Sequence, residues 1–266
     1  MLHLSESDLR FLVETVTTSR RDYDHVIHLV RDQEDLLEPM LEDPRLMNRL
    51  FQDEETFACI SPHFLFSVLL RRVRQDLQKQ TYILEVDSNR KRVPIFEAPA
   101  VAELLSNRQT LDYLAEMLDS FARTNSGVIH WMQGGTWHKR RFSDIDMDDM
   151  IELARIIDPE MRPSLYKRIA DLALFLSGIF PDHLSVFAAR HQSMFAARRT
   201  LKDHEREGKR FYQLAAQETD RTVWRPALES LADNFTHARW ALNTLGDRYL
   251  KTQRARYFRF SAEGGR

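Results

Sequence analysis

Apolar positions recur along this chain with helical rather than strand spacing, most clearly near its C-terminal end. Trp224, Leu228, Leu231, Phe235, Ala238, Leu242 and Leu245 follow one another at steps of four and three, with Tyr249 one step further. That alternation keeps one helical face apolar over several turns, so it predicts a packing seam, which a bundle of this size buries within itself. Upstream, Ser5 and Ser7 are N-cap candidates for a first helix. Tyr23, Val26, Ile27, Val30 and Leu37 then share one helical face, and Pro39 and Pro44 are expected to break that helix. Ser61 followed by Pro62 pairs a capping hydroxyl with proline at the first helical position. Residues 63–70 are apolar nearly all round, which predicts two buried turns. Arg71, Arg72 and Arg74 come where that helix is expected to emerge into solvent, and cations there suit the dipole at its C-terminal end.

The period changes in the middle of the chain. Tyr82-Ile83-Leu84-Glu85-Val86 and Val93-Pro94-Ile95-Phe96 are β-rich runs separated by the polar stretch 87–92, which reads as a hairpin. Pro94 cannot donate to a ladder, so its strand is an edge or bonds on its other side. A helical run from Ala100 to Arg123 follows. Residues 128–142 read as a second hairpin turning at Gly134-Gly135, in a register that sets Trp131 opposite His138 and Met132 opposite Trp137. Alternation then places Ile129, Trp131, His138, Arg140 and Phe142 on one face, and Val128, His130, Met132, Trp137, Lys139 and Arg141 on the other. From Ser143, which forms a capping box with Asp146, the pattern is helical, punctuated by Pro159, Pro163 and Pro181. The stretch from Ile169 to Pro181 is nearly apolar, interrupted by Asp171 and Ser177. It falls short of the roughly 20 residues of a membrane span and predicts a buried core helix. The fold class expected is mainly α, a helical bundle with a small antiparallel β-hairpin element in the middle of the chain. Residues 1–80 form an acidic N-terminal helical part, 81–142 two hairpins flanking a helical stretch, 143–250 a C-terminal helical bundle, and 251–266 a basic-aromatic tail. With no internal repeat and no Ser/Gly-rich linker, these are read as one compact body.

Composition adds to this picture in three places. Eight Gly and nine Pro in 266 residues ration the turns, which favours long helices. The net charge of -2 removes a global basic field, yet residues 1–60 carry 14 acidic side chains against six arginines, so the cations concentrate further on. Cys59 is the only cysteine, which forbids an intrachain disulfide and reads as a small buried hydrophobe. The opening residues show neither a basic nor an apolar leader region, and a cytoplasmic location is the expectation.

Reactive motifs are mostly missing. Phosphate-cradling glycine loops and a Gly-x-Ser-x-Gly elbow do not occur, and Ser164-Leu165-Tyr166-Lys167 matches Ser-x-x-Lys without the companion segments of acyl-transfer enzymes, so it reads as chance. Asp144, Asp146 and Asp148 open with the spacing of a calcium loop, but Asp149 and Arg155 occupy the positions of its glycine and its bidentate glutamate, and the acids read as a helix start. Neither His-Glu-x-x-His nor Glu-x-x-His is present. His25, His28 and Asp32 share one helical face and are the metal-ligand candidates, with a solvated polar stripe as the plainer account. His191 falls in register with Leu184, Phe187 and Met194 as a hydrogen-bonded core histidine. Asp171 is a buried acid expected to pair with Lys167 or Arg168. Two patches combine aromatic and cationic groups suited to an anionic or protein partner. One is Trp131, Trp137, His138, Lys139, Arg140 and Arg141, a composition that edge protection of a sheet also produces. The other is Arg254, Arg256, Tyr257 and Arg259 with Lys251, Phe258 and Phe260, either a docking tail or a segment folded back on the acidic N-terminal part.

The segments from Ala170 through Asp171-Leu172-Ala173-Leu174-Phe175-Leu176-Ser177-Gly178-Ile179-Phe180 to Pro181, and Gly208-Lys209-Arg210-Phe211-Tyr212-Gln213-Leu214-Ala215, resemble a group of bacterial proteins of uncharacterised activity. The likeness spans about residues 142–217 and implies a cytosolic bacterial helical domain, with no catalytic residue to transfer. The reading is a non-enzymatic protein-interaction or regulatory module that calls for no cofactor and no membrane. Its partner is another protein ahead of nucleic acid. The alternatives are a metal-dependent hydrolase with ligands on helices, and a nucleic-acid-binding protein acting through the aromatic-basic hairpin.

Overall fold

Helix α1 (Glu6–Val16) opens at Ser5, whose hydroxyl accepts from the Asp8 backbone N–H while the Asp8 carboxylate accepts from the Ser5 N–H, each at 3.1 Å. The computed structural model describes residues 4–18, 22–52, 60–86, 91–123, 127–133, 136–142, 147–181, 200–219, 223–251 and 258. The same Asp8 carboxylate, 1% exposed, accepts from the backbone N–H of Ser61 at 2.7 Å and from its hydroxyl at 2.8 Å. Ser61 caps α5 (Pro62–Leu77), accepting from the Phe64 N–H, so one buried acid joins the starts of two helices. Residues 64–70 are buried, as their all-round apolarity predicts.

Between them lie α2 (Tyr23–Asp32), α3 (Glu34–Leu41) and α4 (Pro44–Gln52), with Val26, Ile27, Val30 and Leu37 turned inward. Pro44 marks a break as expected, one helix ending at Leu41 and the next beginning at Pro44, but Pro39 does not, and a further break lies earlier. That earlier break falls at Gln33, and Pro39 sits inside α3. In so short a helix Pro39 removes a single backbone bond, and the Glu42 N–H still reaches the Glu38 carbonyl at 3.2 Å. Arg72 is a third exposed and pairs with Asp76 one turn on, but Arg71 and Arg74 depart from expectation, because their side of the helix stays buried to Leu77. Arg71 is 1% exposed and donates to both Glu38 carboxylate oxygens (3.1 and 2.6 Å), to Asp112 (3.2 Å) and to the Ser67 carbonyl (3.1 Å). Arg74 joins Glu38 and Glu42. Burial pushes the Glu38 carboxyl up, but the hydrogen bonds and charges of Arg71 and Arg74 outweigh it and leave the group below its ordinary value. Carboxylates brought by neighbouring helices, not solvent, hold these cations.

The expected run 100–123 is two helices, α6 (Ala98–Ser106) and α7 (Arg108–Arg123), because the Asn107 side chain accepts from the Thr110 N–H at 3.1 Å and starts the second. Strands β1 (Ile83–Val86) and β2 (Arg92–Ile95) pair antiparallel, Ile83 opposite Ile95 and Leu84 opposite Pro94. Strands β3 (Gly127–Gln133) and β4 (Thr136–Phe142) form the second hairpin in the expected register, Trp131 opposite His138 and Met132 opposite Trp137. Their side chains, the Gly134-Gly135 turn, the Ser143–Asp146 cap and Cys59 lie outside the described residues.

The C-terminal half contains α8 (Met147–Ile156), a 3-10 turn (Pro159–Met161), α9 (Arg162–Ile179), α10 (Leu201–Glu218), α11 (Arg225–Asp233) and α12 (Phe235–Arg248). Residues 169–180 are buried, which makes α9 the central rod, packed on α8, α10 and α12. The apolar seam turns inward, with Leu228, Leu231, Phe235, Ala238, Leu242 and Leu245 at 1% exposure or less. It is not one helix, since the chain breaks at Asn234 (φ -112°, ψ 28°) and the two pieces continue the same stripe. The protein is mainly α, and one hydrophobic cluster runs from Leu9 on α1 to Phe258. Among the described residues no helix is long and apolar enough to cross a membrane.

Close approach of α10 to α12 depends on Gly208. A Cβ there would overlap the ring of Phe235, itself fully buried. Alanine gains about 1 kcal/mol of helix propensity over glycine, yet overpacking a closed core costs roughly 1–3 kcal/mol, so Gly208→Ala is expected to destabilise. Urea unfolding checks this, and a gain in stability would mean that the Phe235 ring has room to move.

Candidate functional site

The first hairpin is apolar on both faces. Ile83 (5% exposed) and Ile95 point into the core, and Glu85 beside them pairs with Arg239 of α12. The Arg239 side chain is 4% exposed and also holds Glu205 of α10 at 2.8 Å, so the sheet is fastened to two helices by a buried charge-assisted pair. The opposite face carries Tyr82, Leu84, Pro94 and Phe96. Phe96 is 73% exposed, Leu84 50% and Tyr82 47%. The Tyr82 and Phe96 rings meet edge to face with centroids 6.0 Å apart. Burying one such side chain fully is worth about 1.5–3 kcal/mol, so a contiguous set left in water on a fixed scaffold is the composition of a contact surface.

A groove of about 180 Å³ runs beside this face, between the hairpin and the last turns of α12. Leu84 forms part of its wall, and Arg92, Arg248 and Lys251 contribute three cations against the single acid Asp247. Arg248 is held by Gln80 at 2.7 Å and pairs with Asp76 at 3.5 Å, while Arg92 and Lys251 are exposed and have no carboxylate partner among the described residues. The surface thus offers apolar side chains next to cations.

Asp171 is buried (1% exposed) and paired with Lys167, as expected, at 2.8 Å. Its other oxygen accepts from the Tyr113 hydroxyl at 2.7 Å and the Tyr212 hydroxyl at 2.8 Å. Burial and the Asp171 charge push both phenols well above their ordinary range. Ser164 and Lys167 do line one cleft, but Lys167 is the cation of a salt bridge, and a protonated amine supplies no general base for a serine.

His25, His28 and Asp32 stand exposed on the outer face of α2, the solvated stripe. Among the described residues no group of three or more His, Cys, Asp or Glu side chains is placed to hold a metal ion. The backbone brings Trp131 and Trp137 onto adjacent pairs of β3–β4, with His138, Lys139, Arg140 and Arg141 following along β4, while their side chains lie outside the description. Arg254, Arg256, Tyr257, Arg259 and His191 lie outside the described residues. Phe258 is described, and its ring packs on Phe66, Phe175 and Phe180. Missing from the sequence reading were Tyr82, Leu84 and Phe96 as an exposed set. The signal was available, since apolar residues at both parities of a strand predict that both faces are to be covered. The chain matches no protein-family model, no curated protein and no solved structure.

Proposed function

We propose that this chain is a non-enzymatic protein-interaction module whose docking surface is the outer face of β1–β2 with the groove beside it. The observation that carries the reading is the set Tyr82, Leu84 and Phe96, large side chains left 47–73% exposed on a sheet anchored to the core through Ile83 and Ile95. A fixed scaffold loses little entropy on binding, so apolar burial there contributes to affinity rather than to ordering. Arg92, Arg248 and Lys251 define the partner's chemistry as an acidic segment bearing an apolar or aromatic side chain, the apolar group seated on the hairpin and the carboxylates over the groove. The sequence alone assigned the role to the β3–β4 patch and the tail, and this surface is a further candidate beside them.

Selection of a random peptide library on the purified full-length protein tests the reading. Enriched peptides are expected to combine Asp or Glu with Leu, Phe or Trp, and to lose affinity by about tenfold or more on Phe96→Asp. That substitution lies at an exposed position and is expected to shift stability by no more than about 0.5 kcal/mol. Peptides without an acidic bias, or equal binding by Phe96→Asp, would overturn it.

A further inference from the structure

A larger cleft of about 640 Å³ opens elsewhere, where the start of α9 meets the end of α10 and the start of α11. Its volume falls in the range of small-molecule sites. Lys167 lies at its base with the ammonium 4.7 Å from the centroid of the Tyr113 ring and 4.9 Å from that of Trp224. The ammonium donates to Asp171 at 2.8 Å and lies against both ring faces. An ammonium has three donors, and Asp171 is already shared with two phenols, so Lys167 retains hydrogen-bonding capacity towards the cleft that its side chain lines. Ser164, exposed one turn earlier, presents a hydroxyl to the same space.

Other walls have a different character. Trp224 supplies apolar surface, backed by the buried Leu228. Glu160 and Glu218 are exposed carboxylates without an ion pair among the described residues, and Glu218 ends α10, where the helix dipole also favours a cation. The cleft therefore has a carboxylate-accepting group, an ammonium-accepting pair and an apolar wall.

We propose that this cleft binds a small zwitterion, an α-amino acid with an apolar side chain. Its carboxylate sits on Lys167 and Ser164, its ammonium faces Glu160 and Glu218, and its side chain lies against Trp224. This site is separate from the hairpin surface and stands or falls apart from it.

Isothermal titration calorimetry of the full chain decides the matter, with L-phenylalanine and L-leucine as probes and with phenethylamine and 3-phenylpropanoate as one-ended analogues. The expected result is saturable binding of an amino acid at one site, with each one-ended analogue weaker by about tenfold or more. Glu218→Gln is expected to weaken the amino acid and the amine but not 3-phenylpropanoate, and Ser164→Ala the reverse pair. Both positions are exposed, so the fold is retained, which an unchanged near-ultraviolet circular dichroism spectrum confirms. Absence of binding at millimolar concentration, analogues that bind as well as the amino acid, or affinities indifferent to both substitutions would each overturn the proposal.

Discussion

Asp171→Ala is expected to lower the unfolding free energy by about 3–5 kcal/mol, the usual cost of removing one partner of a buried pair. The substitution leaves the Lys167 ammonium between two ring faces with no counter-charge, and it strands the hydroxyls of Tyr113 and Tyr212, both under 5% exposed. Each orphaned hydroxyl loses a bond to a charged acceptor, worth about 1.5–3 kcal/mol. The Lys167 side chain, 18% exposed, relieves part of the penalty by turning to the cleft. A double variant, Asp171→Ala with Lys167→Met, removes both charges. It is expected to be more stable than Asp171→Ala alone, with a coupling above about 1 kcal/mol, measured by urea unfolding of the four proteins of the cycle. Additive losses would mean that Asp171 acts through the phenols and not through the salt bridge.

The same cluster makes the fold less stable at alkaline pH. Burial first, then the charge of Asp171, raises both phenols in the folded chain, whereas unfolded tyrosines ionise near pH 10. The unfolded state therefore releases protons that the folded state retains. Stability from this source is full below about pH 10 and falls as pH rises beyond it. Tyr113→Phe is expected to flatten that fall while lowering stability at neutral pH.

How much of this was legible in the chain depends on distance along it. The caps at Ser5 and Ser61 were local, and so were the register of the second hairpin and the apolar stripe from Leu228 to Leu245, because one element contains both partners or the repeat itself. The breaks at Asn107 and Asn234 were half legible, since asparagine competes for backbone bonds, but continuous apolar spacing across each masked them. Arg71 was misread because the helix dipole offered a sufficient local reason for a cation, while its true partners, Glu38 and Asp112, come from α3 and α7. Asp171 illustrates the limit. Its pairing with Lys167 was readable four residues away, whereas the hydroxyls of Tyr113 and Tyr212 arrive from 58 and 41 residues away and only the fold assembles them. The cleft over Lys167 shares that origin, with walls from three separate helices and the 3-10 turn.

Phe258→Ala is expected to cost about as much as Asp171→Ala, roughly 3–5 kcal/mol, by a different route. The ring is 2% exposed although it lies ten residues beyond the end of α12. It stacks on Phe66 of α5 with centroids 5.6 Å apart and planes 6° from parallel, and meets Phe175 edge to face at 4.9 Å and Phe180 at 6.0 Å. Phe175 in turn stacks on Phe121 at 4.2 Å, so one aromatic cluster joins α5, α7, α9 and the C-terminal segment. Alanine leaves a cavity walled by rings that cannot collapse without shifting α9, which places the cost at the large end of core truncations. Two further chains sharpen the test. Phe258→Leu keeps most of the volume and is expected to lose less than half as much. A chain ending at Lys251 is expected to lose about what Phe258→Ala loses, if this one ring carries the segment's contribution to stability. A segment that only docks a partner would leave the unfolding midpoint of the free protein unchanged in all three, and that outcome would remove the C-terminal anchor from the account of the core.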